Sequence, residues 1–370
     1  MEELFIITEG GQLIFSWHPR NLSKDSKQDD DLITGFLSAL NSFATLERGE
    51  DIKSLKLKET TIIFEKNDDL VQKLTFVITT KNELLIEICH SIVHDLMDLF
   101  LKTYEDILNR EFDGEISKFL PFSQQVEKIV YNHGLDILND SVIEINKGGI
   151  MKSITLIEPK SAQIFYIHSK QYVDKDKLSF LIPLIANSSR LLYKNNLGEN
   201  VRWILLTTAR SEIMLVEIRN KLLIIKQYQL EKNIENDFLS LEYFKNKDVY
   251  VKKPKKVVKT FENLIWSPKI KQLFLVDLVG KILYSRIFDE SYNCMDYIPE
   301  TISFLTSSKK TSEQIYNQVL FHSTIGGDKQ LTTICINFNN LALILIGDIH
   351  ELSDFKVIEN ICEEIVIQLI

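Results

Sequence analysis

The features missing from this 370-residue sequence exclude several classes of function before any motif is considered. It has only four cysteines, and no two of them form the C-x-x-C pair of a redox or metal-binding motif. Three of the four lie inside apolar runs, where a thiol behaves as a small hydrophobic side chain. This cysteine usage indicates a reducing, intracellular setting. The four residues are Cys89, Cys294, Cys335 and Cys362.

Long hydrophobic runs are also missing. The apolar stretches at residues 178–186 and 341–346 are far shorter than the ~20 residues that a helix needs to cross a bilayer. The first residues, Met1 to Phe5, lack the basic start and apolar core of a signal peptide. We therefore expect the protein in the cytoplasm, with any membrane contact peripheral.

An excess of positive charge is missing as well. The formal net charge of −9 argues against nucleic acid as a partner, because phosphate binding depends on clustered Lys and Arg. One basic cluster departs from this pattern, and it has two interpretations. It is either a contact with anionic lipid, at about 1 kcal/mol per residue, or a solvated linker that Pro254 keeps extended. No amphipathic helix or lipidation motif accompanies it, which favours the linker. The cluster comprises Lys252, Lys253, Lys255 and Lys256.

No enzyme motif or cofactor motif is present. Three glycine pairs are each unaccompanied by the Lys-Ser or Lys-Thr of a phosphate-binding loop, so we interpret them as turns. No Ser/His/Asp or Cys/His arrangement stands out, and no convergent carboxylate pair is evident. We expect neither catalysis nor a cofactor; an enzyme with an unrecognised pocket is the alternative that only coordinates can test. The glycine pairs are Gly10 and Gly11, Gly148 and Gly149, and Gly326 and Gly327.

Two histidines have a spacing compatible with metal binding. His90 and His94 are four residues apart on one predicted helix, but no Glu follows His90. Asp98 is two turns from His90, roughly 12 Å along the axis. The three side chains therefore cannot share one ion, and we predict packing histidines and no metal.

The order of the predicted strands and helices is the most informative feature of this sequence. Hydrophobic periodicity predicts β-β-α-β-β-β-α three times, which indicates an α/β protein of the α+β type. Each repeat is predicted to be a five-stranded, mostly antiparallel sheet with flanking helices. A unit of ~100 residues buries its own core, so we expect three tandem domains. Their predicted boundaries are 1–146, 147–250 and 251–370.

The pattern resembles a known superfamily. Residues 4–17 with their Gly-Gly turn, and residues 74–79 leading into a long helix, resemble longin strands. Residues 266–283, which follow a predicted leading helix, resemble the opening of a roadblock domain. Proteins with three tandem longin-like domains resemble heterodimeric exchange factors for Rab GTPases, and roadblock proteins are activating or tethering subunits. The resemblance implies a small Ras-like GTPase and a second longin or roadblock subunit as partners.

The first predicted helix has an unusual polar face. Leu32, Phe36, Leu37 and Leu40 are predicted to face the sheet, while the other face carries no charge between residues 32 and 46. Interface cores are depleted in charge, so this face is a candidate docking surface. The alternative is a helix covered by the protein's own second domain. The predicted docking residues are Thr34, Gly35, Ser38, Asn41, Ser42 and Thr45.

These observations predict a non-enzymatic regulator or adaptor of a Ras-like or Rab-like GTPase. Nucleotide exchange would need no covalent chemistry, because tighter binding of the nucleotide-free GTPase is enough. The alternative is a structural subunit of a vesicle-tethering or membrane-anchoring complex, without effect on nucleotide. Whether nucleotide release accelerates separates the two functions.

Overall fold

The structure is a computed structural model, and it describes the chain in segments. The described residues are 1–19, 34–40, 52–67, 73–81, 83–109, 115–208, 212–229, 259, 262, 269–289, 297–329, 331–338 and 340–349. Within them are six α-helices, fifteen strands and two antiparallel sheets. The chain divides into two compact units, Met1–Asn139 and Asp140–Ile370. The mixed α/β class predicted from the sequence is confirmed.

The first unit contains a five-stranded sheet in the order β2-β1-β5-β4-β3. Two of its inner strands, β1 and β5, are almost entirely buried. Gly11, with a φ of 82°, allows the tight turn between β1 and β2, as the glycine pair predicts. The strands are β1 Glu3–Thr8, β2 Leu13–Trp17, β3 Ser54–Lys56, β4 Thr61–Asn67 and β5 Leu74–Thr80.

Helices cover both faces of this sheet. Leu37 of α1 packs on one face in a core cluster with Phe5 and Val77. On the other face, Phe100 of α2 makes edge-to-face contacts with Phe76 of β5 and with Phe122 of α3. The apolar periodicity predicts helices at about residues 85–108 and 123–132, which correspond to α2 and α3, but it does not predict α4. The helices are α1 (residues 34–40), α2 Ile86–Leu108, α3 Phe122–Asn132 and α4 Leu135–Lys147, within which the division between the units falls.

The second unit contains a ten-stranded sheet in the order β12-β11-β15-β14-β13-β8-β9-β10-β6-β7. Its strands are β6 Met151–Ile157, β7 Ile164–Ser169, β8 Val201–Thr208, β9 Glu212–Ile218, β10 Leu223–Gln229, β11 Ile270–Asp277, β12 Ile282–Ile287, β13 Leu320–Gly327, β14 Thr332–Asn337 and β15 Leu341–Gly347. Two helices, α5 Lys175–Asn196 and α6 Ile298–Tyr316, share one continuous core cluster with strands from both halves of the sheet.

One strand order occurs three times. In chain order, β1–β5, β6–β10 and β11–β15 form three sets, which we call the first, second and third strand sets. In each set the spatial order is second, first, fifth, fourth, third, and a helix connects the second strand to the third. The third strand of each set therefore lies at one end of its own five strands.

Several predicted boundaries were wrong in the second unit. Hydrophobic periodicity predicts a helix after β12 at about residues 297–307 and a strand at residues 316–322. In the structure α6 continues to Tyr316, and β13 begins at Leu320. Serine and threonine have weak helix propensity, so the sequence pattern does not predict this part of α6. In the structure the hydroxyl groups of Ser308 and Thr311 donate hydrogen bonds to backbone carbonyl groups one helical turn earlier. Helix α5 begins at Lys175, capped by Asp174, and continues through Pro183.

None of the helices in the described part of the chain is long and apolar enough to span a membrane. The predicted helices at residues 234–244, 258–265 and 355–370 lie largely or wholly outside the described residues, as does the basic cluster from Lys252 to Lys256.

Candidate interaction surface

The second and third strand sets are joined by a pair of strands and a pair of helices. Strand β8 pairs antiparallel with β13, with Leu205 opposite Thr324 near the middle of the pairing. Helix α5 packs against α6 beside these strands. We call this arrangement the internal joint. Both paired strands are third strands of their sets, and both helices precede them, so the joint is built from equivalent elements.

Two tyrosines at matching positions cross the internal joint. Tyr193 is the nineteenth residue of α5, and Tyr316 is the nineteenth residue of α6. The Tyr193 hydroxyl lies 2.8 Å from the Ile325 carbonyl oxygen of the third set and donates a hydrogen bond to it. The Tyr316 hydroxyl accepts from Gln227 Nε2 of the second set at 3.0 Å. Each helix is thus anchored by a hydroxyl group to the other strand set.

Two glycines allow close packing at the joint. A Cβ atom on Gly326 would overlap the indole ring of Trp203, and one on Gly327 would overlap the Glu199 carboxylate. Both glycines lie within β13, so our prediction that this pair forms a turn was wrong. Side chains from the second set occupy the space that a larger residue of β13 would need.

The centre of the joint is buried: Tyr193, Ile204 and Ile325 have no exposed surface, while His322 and Tyr316 are half-buried. Burial lowers the pKa of His322, on β13, to about 4, and burial raises the pKa of Cys335, on β14, to about 12. Burial also raises the pKa of Tyr193 and of Tyr316. At its edge the joint is polar, where Asn200 Nδ2 donates to Asp328 Oδ2 at 2.9 Å. A buried centre with a polar rim is the usual anatomy of a protein interface.

The first unit carries the same two elements. Its third strand, β3, lies at the end of the five-stranded sheet and pairs with β4 only, and its connecting helix is α1. Among the described residues no strand pairs with the outer edge of β3. An edge of this kind presents backbone N–H and C=O groups to a further strand. We call β3 and α1 together the open edge of the first unit.

The predicted docking residues do not all lie on one exposed face. Thr34 is only 1% exposed, and Ser38 is half-buried against the β1–β2 turn, within about 3 Å of the Cβ position of Gly11. Gly35 is exposed, as predicted, with no atom within 4 Å of its Cβ position. Phe36, which we predicted to face the sheet, is 56% exposed. The helix is therefore rotated relative to our wheel, and Asn41, Ser42 and Thr45 lie outside the described residues.

The exposed face of α1 in the described residues consists of Gly35, Phe36 and Ala39. It is uncharged, and Phe36 projects from it as an aromatic side chain between two small residues. Aromatic residues are enriched at interface centres, and small neighbours let another backbone approach.

Strand β3 and its flanks are basic. Exposed lysines occur at Lys53, Lys56 and Lys58, and Lys56 Nζ forms an exposed ion pair with Glu83 Oε1 at 2.6 Å. The internal joint has a different composition, since Arg202 is the one Lys, Arg, Asp or Glu residue within β8 and β13. Lysines on an edge strand oppose pairing with a like-charged edge.

One of the two histidines of α2, His94, has a carboxylate partner. His94 is exposed and shares a 2.6 Å hydrogen bond with Glu65 Oε1; this bond, with a smaller charge effect of Glu65 and Asp98, raises the pKa of His94. It therefore forms an ion pair on the surface rather than the apolar packing that we predicted. No group of three or more metal-ligating side chains occurs within the described segments.

No protein-family model matches the chain, and no curated protein matches it.

Proposed function

We propose that this protein is a non-enzymatic regulator or adaptor of a small Ras-like GTPase. In this proposal the chain is three longin-like or roadblock-like modules, at residues 1–146, 147–250 and 251–370, and it works with a second subunit of the same type. The observation that carries the proposal is the threefold recurrence of one strand order, with two of the three sets already paired through their third strands and connecting helices.

The internal joint provides the physical reason to expect a second subunit. Pairing of two such sets removes two sheet edges from water and builds one core beneath two helices. The first unit has the corresponding edge at β3 and an uncharged exposed face on α1. We therefore propose that the second subunit docks at the open edge, adding a strand beside β3 and a helix beside α1.

The lysines of β3 favour a different chain over a second copy as the partner. Two copies paired through β3 would bring Lys53, Lys56 and Lys58 close to the same residues of the other copy. Like charges placed opposite each other across strands are destabilising, whereas an acidic edge strand would complement them. The proposed assembly is a heterodimer with an acidic partner edge.

Exchange activity would follow from differential affinity. A regulator that binds the nucleotide-free GTPase more tightly than the loaded one accelerates release without any catalytic side chain. This agrees with the lack of a catalytic motif in the sequence. Pairing with the second subunit at the open edge would extend the surface available to the GTPase.

The test uses fluorescent-GDP release from Ras-like GTPases of the same organism, with this chain alone and with candidate second subunits. The informative variant is Phe36→Glu with Ala39→Glu, which places two charges on the exposed face of α1. The matched control is Ser91→Glu with Gln124→Glu, which adds two charges to exposed positions on α2 and α3. Ser38 is not a suitable position for this test, because its half-buried side chain contacts the Gly11 turn.

Faster release that the α1 variant abolishes and the control retains would support exchange activity. Binding of a GTPase without faster release would support the adaptor. Assembly with a second subunit but with no GTPase would instead indicate a structural subunit of a tethering complex. If no GTPase and no second subunit binds, the proposed function is wrong.

A further inference from the structure

Three basic residues lie beside the turn between β9 and β10. Arg190 of α5 donates a hydrogen bond to the backbone carbonyl of Arg219, the first residue of that turn, at 3.5 Å. The Arg219 N–H group donates to the Leu222 carbonyl, so the turn is tight and Lys221 lies within it. Lys194 is four residues from Arg190 on α5, and residues at this spacing are neighbours on a helix surface. We call Arg190, Lys194 and Lys221 the basic corner.

The described part of the chain does not neutralise these charges. None of the three residues of the basic corner forms an ion pair with a described carboxylate. Arg190 is half-buried, and its contact with the Arg219 carbonyl is its one hydrogen bond among the described residues. Burial lowers the pKa of Arg190, because no carboxylate there offsets the loss of water. A bound counterion would offset the cost of holding this charge partly out of water.

Two carboxylates near the basic corner have other partners. Glu217 accepts a hydrogen bond from Arg219 Nε at 2.8 Å. Ile157 lies opposite Leu223, and this pairing places the β6–β7 turn next to the β9–β10 turn. In the β6–β7 turn, the Glu158 carboxylate accepts hydrogen bonds from backbone N–H groups of its own turn. These two side chains are therefore already engaged, and the charge of the basic corner is left for another anion.

The fold itself does not require the basic corner. Tyr193 and Tyr316 align α5 with α6 residue by residue. The β14–β15 turn is closed like the β9–β10 turn, by a hydrogen bond from the Phe338 N–H group to the Leu341 carbonyl. The positions of the third set that match the three cations carry Glu313, Asn317 and Asn340. Since the equivalent helix and turn form without these cations, the basic corner has another role.

A phosphate group is the anion that matches this concentration of charge. A phosphate monoester carries about −1.5 to −2 charges near neutral pH, whereas a carboxylate carries one. The planar guanidinium group of Arg190 presents paired N–H donors that fit two phosphate oxygens, and a lysine binds phosphate as a point charge. Like charges four residues apart destabilise a helix, so an anion bound between Arg190 and Lys194 also stabilises α5.

We propose that the basic corner is a binding site for a phosphate monoester, carried either by a soluble molecule or by a lipid headgroup. Arg190 donates to two of its oxygens, while Lys194 approaches the phosphate from the helix and Lys221 approaches it from the turn. The site lies in the second unit and is independent of the proposed GTPase regulation, which rests on the first unit.

Titration of the full chain with inorganic phosphate at constant ionic strength, followed by phosphorus NMR, tests the site. The informative variant carries Arg190→Gln, Lys194→Asn and Lys221→Asn. The matched control carries Lys175→Asn, Lys281→Asn and Lys310→Asn, which remove three charges from exposed positions of the same unit. We expect saturable binding that the informative variant weakens at least about tenfold and the control retains. Lys221→Asn alone leaves α5 unchanged and should weaken binding at least about threefold, which separates lost binding from a damaged helix.

Sedimentation with vesicles identifies the source of the phosphate. Phosphatidylcholine vesicles containing phosphatidylinositol 4-phosphate present a phosphate monoester, and vesicles of equal charge containing phosphatidylserine do not. Preference for the first kind, lost in the informative variant, would support a lipid headgroup. Binding of inorganic phosphate without that preference would support a soluble molecule.

Three outcomes would overturn the proposal. The first is no saturable binding of inorganic phosphate together with no preference between the vesicles. The second is binding that the informative variant retains, which would show that the basic corner is not the site. The third is tighter binding of a glutamate-rich peptide than of inorganic phosphate at the basic corner, which would identify a carboxylate partner.

Discussion

At the scale of single residues, the internal joint makes stability depend on pH through His322. Its folded pKa, about 4, is below the ~6.5 of an unfolded histidine because burial disfavours the charged ring. As pH falls below ~6.5 the unfolded chain takes up the proton first, so stability is unaffected above that pH and decreases progressively toward pH 4. We expect His322→Gln to flatten this decrease. Thermal unfolding of both proteins between pH 7.5 and 4.5 measures it, and identical slopes would show that His322 does not titrate as described.

His94 has the opposite pH dependence in the first unit. Its hydrogen bond to Glu65 raises its pKa, so the stabilisation is fully present below ~6.5 and is lost as pH rises through the higher, folded pKa. The side chain is exposed, so the effect is small. NMR titration of the His94 ring should give a pKa above that of a free histidine, and Glu65→Gln should return it toward that value. A Glu65→Gln variant with an unchanged titration would contradict this assignment.

Gly326 is a residue at which the joint leaves no space for a larger side chain. In Gly326→Ala the added methyl group would collide with the Trp203 indole ring, and we expect a loss of about 1–3 kcal/mol in unfolding free energy. The matched control is Gly35→Ala, where the Cβ meets open space and helix propensity improves by about 1 kcal/mol. Urea unfolding measures both. If Gly326→Ala were neutral, or if adding Trp203→Leu failed to restore stability, the collision would not be the cause.

At the scale of elements, hydrophobic periodicity was sufficient to place most strands and helices within a few residues. It failed where the signal was weak. The Ser- and Thr-rich half of α6 has low helix propensity. The pair Gly326 and Gly327 is typical of a turn in sequence, and only the structure shows that Trp203 and Glu199 occupy the space beside them. The buried face of α1 was predicted wrongly. A helical wheel places the more hydrophobic Phe36 on the buried face and Thr34 on the exposed face, but the position of the sheet buries Thr34 and leaves Phe36 exposed. The joint could not be predicted, because strand pairing between sets is not encoded in local pattern.

The C-terminal ends of α5 and α6 add side-chain hydrogen bonds to the strand pairing that joins the two sets. Tyr193→Phe removes the hydrogen bond to the Ile325 carbonyl and leaves that buried oxygen with one partner fewer, which costs about 1–3 kcal/mol. The loss should appear as weaker hydrogen-exchange protection of amides in both β8 and β13. Tyr131→Phe, at an exposed tyrosine of α3, serves as the control. Weaker protection confined to α5 would mean that the tyrosine stabilises its helix and not the joint.

At the scale of the whole molecule, the second and third strand sets should fold as one cooperative unit. One core cluster extends beneath both helices, and β8 and β13 satisfy each other's backbone groups. A fragment of residues 147–250 would expose the eight-residue edge of β8, which carries a single charge, together with the side of α5 that packs on α6. An uncovered edge of this kind pairs with another chain. We therefore expect residues 140–370 to be monomeric, with a single unfolding transition, and residues 147–250 alone to dimerise or aggregate. Light scattering and calorimetry on the two fragments decide this, and a stable, monomeric 147–250 fragment would show that the predicted second domain folds without the joint.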